Sequence, residues 1–304
     1  MYDINYITNT VIKGDCQTEL EKIENESIDC IVIDPPYRYI DHRLDRDFDA
    51  EKVFKELYRV LKKESFLVIF GIGSRLCRDI VMLEDIGFKV KEEAVWVKNK
   101  TSNFAGDLPR RHESFYFLTK GHKRFNKLYI DGFKQYEAEG RLDLLYNNYK
   151  SILRAFNNKE KAEALRKYIE ENVIIYQGER QSGHEITMKG NSFKKNDRDF
   201  TILKRIKNGT PQNTCFFISR EHYQYKVPTQ KPLELMERII KLTSNENDIV
   251  LDCFAGGGST LKAALKNNRR FIGIEIDEEY YNICKENIKE IEEEKKEEQY
   301  ALAL

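Results

Sequence analysis

The sequence has 304 residues, of which 34% are charged and 40% hydrophobic, a balance that favours a folded globular protein and excludes a largely disordered one. Its 51 basic and 51 acidic residues cancel to a formal net charge of zero, and its apolar runs are too short for a membrane-spanning helix. The first ten residues lack the pattern of an export signal, and the six cysteines form no C-x-x-C pair. We therefore predict a cytoplasmic protein with reduced thiols, no metal site and no membrane partner.

Strands and helices alternate along the first 120 residues. An apolar, β-branched run at residues 27–34 stops at two prolines, as a buried parallel strand would. The predicted elements are, in order, strand 27–34, helix 51–63, strand 66–71, helix 75–86 and strands 88–98 and 113–119. This alternation predicts a mostly parallel sheet with helices on both faces.

The alternation stops at about residue 120 and resumes at residue 228. The stretch between is rich in Tyr, Asn, Lys and Arg, with one predicted helix over residues 159–172. The elements predicted after it are helix 231–243, strand 248–254, helix 259–266, strand 270–276 and helix 278–298. We therefore predict one α/β domain built from residues 1–120 and 227–304, with an insert at residues 121–226.

The predicted insert is basic. Residues 121–226 contain 21 Lys and Arg against 13 Asp and Glu, so the remainder of this neutral chain carries a matching acidic excess. A basic segment of this kind favours binding to a polyanion, although a solvated surface of mixed charge has the same composition. Its densest cluster comprises Lys194, Lys195, Arg198, Lys204, Arg205 and Lys207.

The tetrapeptide Asp34-Pro35-Pro36-Tyr37 follows the first predicted strand, at a position where open α/β sheets bind ligands. Two prolines fix the backbone and remove two N–H donors, which leaves a carboxylate, the Pro35 carbonyl and an aromatic ring. An aromatic amine is a poor nucleophile until acceptors hold its N–H groups, and Asp34 and the Pro35 carbonyl are such acceptors. Tyr37 could stack on the ring that carries the amine. The alternative is an ordinary turn after a strand.

This motif resembles the catalytic D-P-P-Y motif of amino-methyltransferases that act on adenine N6 or cytosine N4. Related tetrapeptides serve the methylation of glutamine amides and RNA bases, so the motif alone does not name the substrate. The resemblance implies catalytic roles for Asp34, Pro35, Pro36 and Tyr37.

A glycine-rich turn, Asp252 to Thr260, lies between a predicted strand and helix, and Glu275 follows 19 residues after Gly256. Glycines let a ligand approach the backbone, and an acid at this distance can accept from ribose hydroxyls. A dinucleotide-binding enzyme would look similar but would have glycine in place of Leu261. The turn instead resembles the S-adenosylmethionine site of DNA methyltransferases, which implies a Rossmann-like methyltransferase sheet. The cofactor residues that this implies are Asp252, Phe254, Ala255, Gly256, Gly258, Ser259, Thr260, Glu275 and Ile276.

Two further segments resemble cofactor segments of the same enzymes. Residues 227–232 read V-P-T-Q-K-P and resemble H-P-T-Q-K-P, with Val227 in place of the usual His. This likeness implies that Thr229 and Lys231 contact the cofactor carboxylate. Asp15 and Cys16, in a short G-D-C sequence, resemble the segment that faces the cofactor adenine. Residues 96–98 and 110–113 also resemble segments that line the target-base pocket, and a purely structural role fits them equally well.

The order of the motifs, with the acceptor motif before the cofactor turn and an insert between them, resembles the β group of DNA amino-methyltransferases. That likeness implies methyl transfer from S-adenosylmethionine to adenine N6 in a base flipped out of duplex DNA, with S-adenosylhomocysteine as product and the insert as target-recognition region. Cytosine N4 is the first alternative, because cytosine enzymes of this group more often carry Ser in place of Asp34. An RNA methyltransferase and a non-catalytic DNA-binding protein are further alternatives. A homodimer and a cognate restriction endonuclease also fit the group.

Overall fold

The structure, a computed structural model, describes residues 1–37, 46–98, 110–130, 176–177, 193–194, 209–219, 227 and 230–302. It divides the chain into two compact units, one formed by Met1–Leu128 with Asn213–Leu304 and the other by Tyr129–Gln212. The helix predicted over residues 159–172 lies outside the described residues, as do Thr229 and, apart from Lys194, the predicted basic cluster.

The first unit is built on an eight-stranded sheet. Its strands are β1 (Thr10–Lys13), β2 (Ile28–Ile33), β3 (Leu61–Gly71), β4 (Lys89–Val97), β5 (His112–Lys120), β6 (Cys215–Phe217), β7 (Ile249–Asp252) and β8 (Arg270–Glu275). Their order across the sheet is β1-β8-β7-β2-β3-β5-β4-β6. Only the ladders that β5 forms with β3 and β4 are antiparallel among those of this sheet, which confirms the predicted mostly parallel sheet.

Helices cover both faces of this sheet. They are α1 (Ile4–Ile7), α2 (Cys16–Glu19), α3 (Ala50–Val60), α4 (Gly73–Ile86), α5 (Leu233–Thr243), α6 (Ser259–Lys266) and α7 (Glu278–Leu302), and a 3-10 turn spans Leu20–Lys22. Alternate residues of β2 show the two layers: Ile31 packs with α3 and α4, whereas Val32 packs with α5 and α6. The predicted α/β fold with helices on both faces is therefore confirmed. Among the described residues, no helix has both the length and the apolar character needed to cross a membrane.

The predicted boundary between the helix at residues 51–63 and the strand at residues 66–71 was wrong. The helix predicted over residues 51–63 ends at Val60, because Leu61 is already extended and pairs with Ile28 of β2. Strand β3 consequently begins five residues before the predicted start. Glu64, within these added residues, adopts a φ of 55°. Three charged residues after Leu61 have a helical composition, and only the pairing with β2 makes them part of a strand.

The second unit spans Tyr129–Gln212, a narrower range than the predicted insert. At its start, Asn126 still belongs to the first unit, because its side chain donates to the carbonyl oxygen of Ser244 at 2.8 Å. At its end, β6 pairs in parallel with β4, which returns the chain to the main sheet. Within the second unit, Tyr129–Ile130 pairs with Thr210–Pro211, and Tyr176–Gln177 pairs with Phe193–Lys194.

Candidate active site

One edge of the main sheet collects acidic residues. The neighbouring strands β1, β8, β7 and β2 run parallel, so their carboxyl ends lie side by side. Asp34 follows β2, while Asp252 and Glu275 are the last residues of β7 and β8. After β1, Gly14 donates its N–H to the carbonyl oxygen of Glu275 at 3.0 Å and brings Asp15 to the same edge. Open α/β sheets bind their ligands at such an edge.

The carboxylate of Asp34 is held by two side chains. It is 25% exposed, and Pro35 beside it is buried. The hydroxyl of Tyr37 donates a hydrogen bond to Oδ1, and the ammonium group of Lys231 pairs with Oδ2. A carboxylate has about four acceptor positions, so Asp34 can accept further hydrogen bonds from a ligand.

Lys231 belongs to a row of alternating charges. Its side chain is only 7% exposed, and its Nζ lies 3.3 Å from Oε2 of Glu113. The other oxygen of Glu113 pairs with the ammonium group of Lys98. Aromatic faces flank both lysines, with Nζ of Lys231 lying 5.1 Å from the ring centre of Phe70 and that of Lys98 lying 4.9 Å from Trp96. The row therefore runs Lys98, Glu113, Lys231, Asp34.

Glu113 and Lys231 are held in the ionised state by their charged neighbours. Burial alone would raise the pKa of Glu113, but the attraction of Lys231 and then of Lys98 outweighs it and brings the pKa to about 2. Burial would likewise lower the pKa of Lys231, and the carboxylates of Asp34 and Glu113 instead raise it above its ordinary value. Glu113 and Lys231 are thus charged at neutral pH.

The glycine-rich turn between β7 and α6 is closed by carboxylates. Oδ1 of Asp252 accepts from the N–H of Phe254 at 3.0 Å, and Oε2 of Glu275 accepts from the N–H of Gly256 at 2.7 Å. Gly256 adopts a φ of 50°, in the left-handed region that favours glycine, and a Cβ added there would meet only the carbonyl oxygen of Phe254, at 4.0 Å. A ligand can therefore approach the backbone closely at Gly256.

The start of helix α6 ties this turn to its neighbours. Ser259, the first residue of α6, donates its hydroxyl to the carbonyl oxygen of Lys231 at 2.8 Å. On the other side, the amide of Asn287 in α7 donates to the carbonyl oxygen of Gly257 at 2.8 Å. The turn and the backbone of Lys231 are thus one connected assembly.

Asp252 and Glu275 are buried carboxyl groups with raised pKa values. Burial raises the pKa of Asp252 to about 7, against the opposing hydrogen bonds from Thr260 and Phe254 and with smaller contributions from the nearby Asp34 and Glu275. Burial also raises the pKa of Glu275. Grouped carboxyl groups of this kind favour a cationic ligand, which would stabilise their ionised forms.

The raised pKa of Asp252 predicts a pH-dependent stability. A carboxyl group whose pKa is higher in the folded chain stabilises the fold at a pH below about 4, its ordinary pKa. That contribution is lost as the pH rises to about 7, the folded-state value. Between these limits, we expect the free energy of unfolding to fall by roughly a few kcal/mol relative to that of Asp252→Asn. Urea unfolding at a series of pH values measures the difference, and parallel pH curves for the two proteins would contradict it.

The comparison with known families decides the class of protein. A family model described as N6/N4 DNA methylase matches residues 28–286, which reach from β2 into α7. The chain belongs to the N6/N4 DNA methylase family. The resemblance found in the sequence is confirmed at the level of this family.

Similar proteins of known name include bacterial methyltransferases. The methylase is 29% identical over 281 residues to the orphan methyltransferase M.BamHII of Bacillus amyloliquefaciens, covering 88% of this chain and 91% of that protein. It is 27% identical over 293 residues to the DNA adenine methyltransferase YhdJ of Escherichia coli K12, covering 89% and 79% of the two chains. Its fold resembles that of the M1.HpyAVI–SAM complex, with a TM-score of 0.52, 20% identity and coverage of 91% and 98%.

A contact within the methylase explains why Leu261 stands where a dinucleotide-binding turn would have glycine. The side chain of Leu261, on α6, lies directly above Gly273 of β8, in space that a side chain at Gly273 would need. Close packing between this helix and the sheet therefore depends on a glycine in the strand rather than in the helix.

Other predicted cofactor residues lie at the acidic edge, with differing exposure. Asp15 caps α2 by accepting from the N–H of Gln17 at 2.9 Å, and Cys16 behind it is buried. Ile276, next to Glu275, is 44% exposed and presents an apolar surface beside the carboxylate. In the structure, the ammonium group of Lys231 pairs with Asp34, whereas the resemblance implied a contact with the cofactor carboxylate.

An aromatic contact beside the glycine-rich turn was not predicted from the sequence. The ring of Phe48 lies 5.1 Å from the ring of Phe254, and the guanidinium group of Arg75 lies 5.8 Å from the centre of Phe48. An isolated aromatic residue before α3 was the available signal. Among the described parts of the methylase, no group of three or more His, Cys, Asp or Glu side chains is arranged to hold a metal ion.

Proposed function

We propose that this DNA methylase transfers the methyl group of S-adenosylmethionine to the exocyclic N6 amine of adenine in duplex DNA. The observation that carries the proposal is the position of Asp34, an acceptor carboxylate at the same sheet edge as the turn that carries Asp252 and Glu275. A carboxylate that can accept hydrogen bonds from an amine and a site suited to a cationic methyl donor thus lie on neighbouring strands.

The cofactor would lie along the glycine-rich turn. Its positive sulfonium group suits the carboxylates of Asp252 and Glu275, and the open backbone at Gly256 allows close approach. The exposed Ile276 would cover one face of the adenine ring, with Glu275 at the ribose. When bound, S-adenosylmethionine supplies an electrophilic methyl group. The M1.HpyAVI–SAM complex, which shares the fold, is consistent with this choice of donor.

The residues of the chain would act by orienting the base amine that receives the methyl group. Asp34 and the Pro35 carbonyl would accept the two N–H bonds of the amine and direct its lone pair toward the methyl group. In exchange for the methyl–sulfur bond that the donor would give up, the nitrogen would gain a bond to the methyl carbon, and the amine would release a proton to Asp34 or to water. Positioning in a water-poor site would supply most of the rate enhancement.

The target base would have to leave the helix, at a cost of roughly a few kcal/mol. The basic residues of the second unit, including the cluster at residues 194–207, would neutralise phosphates during this step. Binding should therefore weaken steeply with salt, and replacing a phosphate-contacting lysine should reduce the salt slope by about one.

Tyr37 gives a graded test of base stacking. Because stacking of a base on an aromatic ring is worth roughly 1–3 kcal/mol, we expect Tyr37→Ala to lower methyl transfer about tenfold or more. Tyr37→Phe keeps the ring and loses the hydrogen bonds that the hydroxyl makes with Asp34 and Lys231, so it should retain more activity than Tyr37→Ala. Initial rates on one duplex substrate compare the three proteins. Full activity of Tyr37→Ala would remove stacking from the mechanism.

Product analysis tests the choice of base. The methylase is incubated with S-adenosylmethionine and duplex DNA of mixed sequence, and the digested nucleosides are identified by mass spectrometry. N6-methyladenine is the expected product, because Asp34 stands where cytosine enzymes more often carry Ser and because the relative YhdJ is named a DNA adenine methyltransferase. N4-methylcytosine would overturn the choice of base while leaving the mechanism intact. If the protein binds cofactor but modifies only RNA, the choice of duplex DNA is overturned.

A further inference from the structure

Lys231 stands between two carboxylates, both of which it contacts. Its ammonium group pairs with Oδ2 of Asp34 on one side and lies 3.3 Å from Oε2 of Glu113 on the other. Removing a buried charge of this kind leaves its partners uncompensated, so the row is sensitive to each of its members. Lys231 thus engages Oδ2 of Asp34, whereas Oδ1 is engaged by Tyr37.

Glu113 lies within the main sheet, and Lys98 lies directly beside it. Glu113 is in β5 opposite Trp96 of β4, and Lys98 directly follows β4. The indole N–H of Trp96 donates to the carbonyl oxygen of Ile218 at 2.8 Å, which ties this strand to the segment after β6. Asp34, in contrast, lies on the connection that follows β2. The ion pairs therefore connect a residue of a loop to two residues fixed by the sheet.

The backbone of Lys231 is fixed separately from its side chain. The hydroxyl of Ser259 holds its carbonyl oxygen at 2.8 Å, at the start of the helix that follows the glycine-rich turn. The side chain then reaches away from that turn to Asp34. Lys231 thus joins the turn that would hold the methyl donor to the carboxylate that would hold the amine.

Resting on the proposed function, we propose that Lys231 is a positioning residue that orients the Asp34 carboxylate toward the base amine, and that Glu113 and Lys98 hold Lys231 in place. Lys231 fixes Oδ2 while Tyr37 fixes Oδ1, so the carboxyl plane is set before the amine arrives. Sites supported by rigid secondary structure hold catalytic groups most closely to productive geometry. Lys231 then influences the base amine through Asp34 and not through a contact with the methyl donor.

Steady-state kinetics on the full chain test this assignment with Lys231→Met. We expect kcat at saturating cofactor to fall by about a hundredfold, the usual size of a misplacement of roughly 1 Å. The Kd for S-adenosylmethionine, measured by calorimetry, should change less than about threefold, and Lys231→Arg should recover part of kcat because it keeps the charge. A large rise in Kd with unchanged kcat would overturn the proposal, since Lys231 would then serve the cofactor carboxylate.

Glu113→Gln tests whether Glu113 acts through Lys231. The single variant should lower kcat about tenfold, and the double variant with Lys231→Met should be no slower than Lys231→Met alone. Multiplying effects would show that Glu113 acts independently and would overturn this part. If Lys231→Met does not fold, Lys231→Gln and Glu113→Gln supply the same comparison of kcat with Kd.

Lys120→Met is the matched control. Lys120 is equally buried, at 7% exposure, and its ammonium group is held by the carbonyl oxygens of Tyr58 and Leu61 at 2.9 and 2.7 Å. It should lose stability without a fall in kcat, and an equal fall in kcat would mean that loss of any buried lysine explains the result. The kinetics follow whichever base is methylated, so an N4-methylcytosine product would overturn the proposed base while leaving this test valid.

Discussion

Asp34→Asn is expected to lower the rate of methyl transfer by about a thousandfold, the upper range for losing one oriented group that stabilises developing charge. The substitution keeps the shape of the side chain but replaces one carboxylate oxygen by an amide that cannot accept the amine N–H. It also removes the negative charge that Lys231 pairs with. Single-turnover transfer to duplex DNA measures the loss, and Asp34→Ala should be at least as severe.

The affinity of Asp34→Asn for the cofactor should show that Asp34 is not part of the cofactor site. Asp34 follows β2, whereas the contacts that close the glycine-rich turn come from Asp252 and Glu275 on β7 and β8. Titration calorimetry should therefore give a Kd for S-adenosylmethionine within a few-fold of the wild type. Equal losses of binding and transfer would show that Asp34 belongs to the cofactor site.

Gly258→Ala is expected to destabilise the fold by about 2–4 kcal/mol and to weaken cofactor binding. Gly258 precedes α6 with a φ of 80°, a conformation that costs a side-chain-bearing residue about 1–2 kcal/mol. An added Cβ would also lie 2.6 Å from the sulfur of Cys284 in α7, where both partners are buried. Thermal and urea unfolding measure the loss of stability, and calorimetry measures cofactor affinity.

Two comparisons divide that effect into its causes. The double variant Gly258→Ala with Cys284→Ala relieves the crowding and should recover that share, while the backbone strain remains. Gly257→Ala places a Cβ 2.6 Å from Oε1 of Gln230, a movable side-chain end, at a residue without positive φ, so it should cost less. If Gly258→Ala were as stable as the wild type, the turn would have to adopt another conformation in solution.

The acidic edge was predictable because it depends on local patterns and one rule of topology. A buried run before Asp34 and another before Asp252 each predict a parallel strand, and parallel strands present their carboxyl ends together. The glycines between β7 and α6 predicted a ligand-binding turn there without any tertiary information. The sequence encodes each of these features in a short, contiguous pattern.

The row of charges was not predictable in the same way. Lys231 and Asp34 are 197 positions apart, and no periodicity encodes which carboxylate a buried lysine meets. The segments at residues 96–98 and 110–113 resembled parts of the target-base pocket, with a purely structural role fitting equally well, and their pairing depends on the antiparallel register of β4 and β5. Strand β6 was missed because three residues are too few to show alternation.

The interleaved order of the sheet has a consequence for synthesis of the protein. Two strands from the end of the chain, β8 and β7, lie between β1 and β2, so that Thr10 of β1 lies opposite Ile272 of β8. On the ribosome, β1 therefore lacks its only partner in the sheet, and β2 lacks one of its two neighbours, until nearly the whole polypeptide has emerged. Pairing over such separations makes folding slow and leaves apolar strands exposed for longer. Nascent chains of this methylase should accordingly depend on chaperones until residue 275 is released, and the acidic edge is the last part to form.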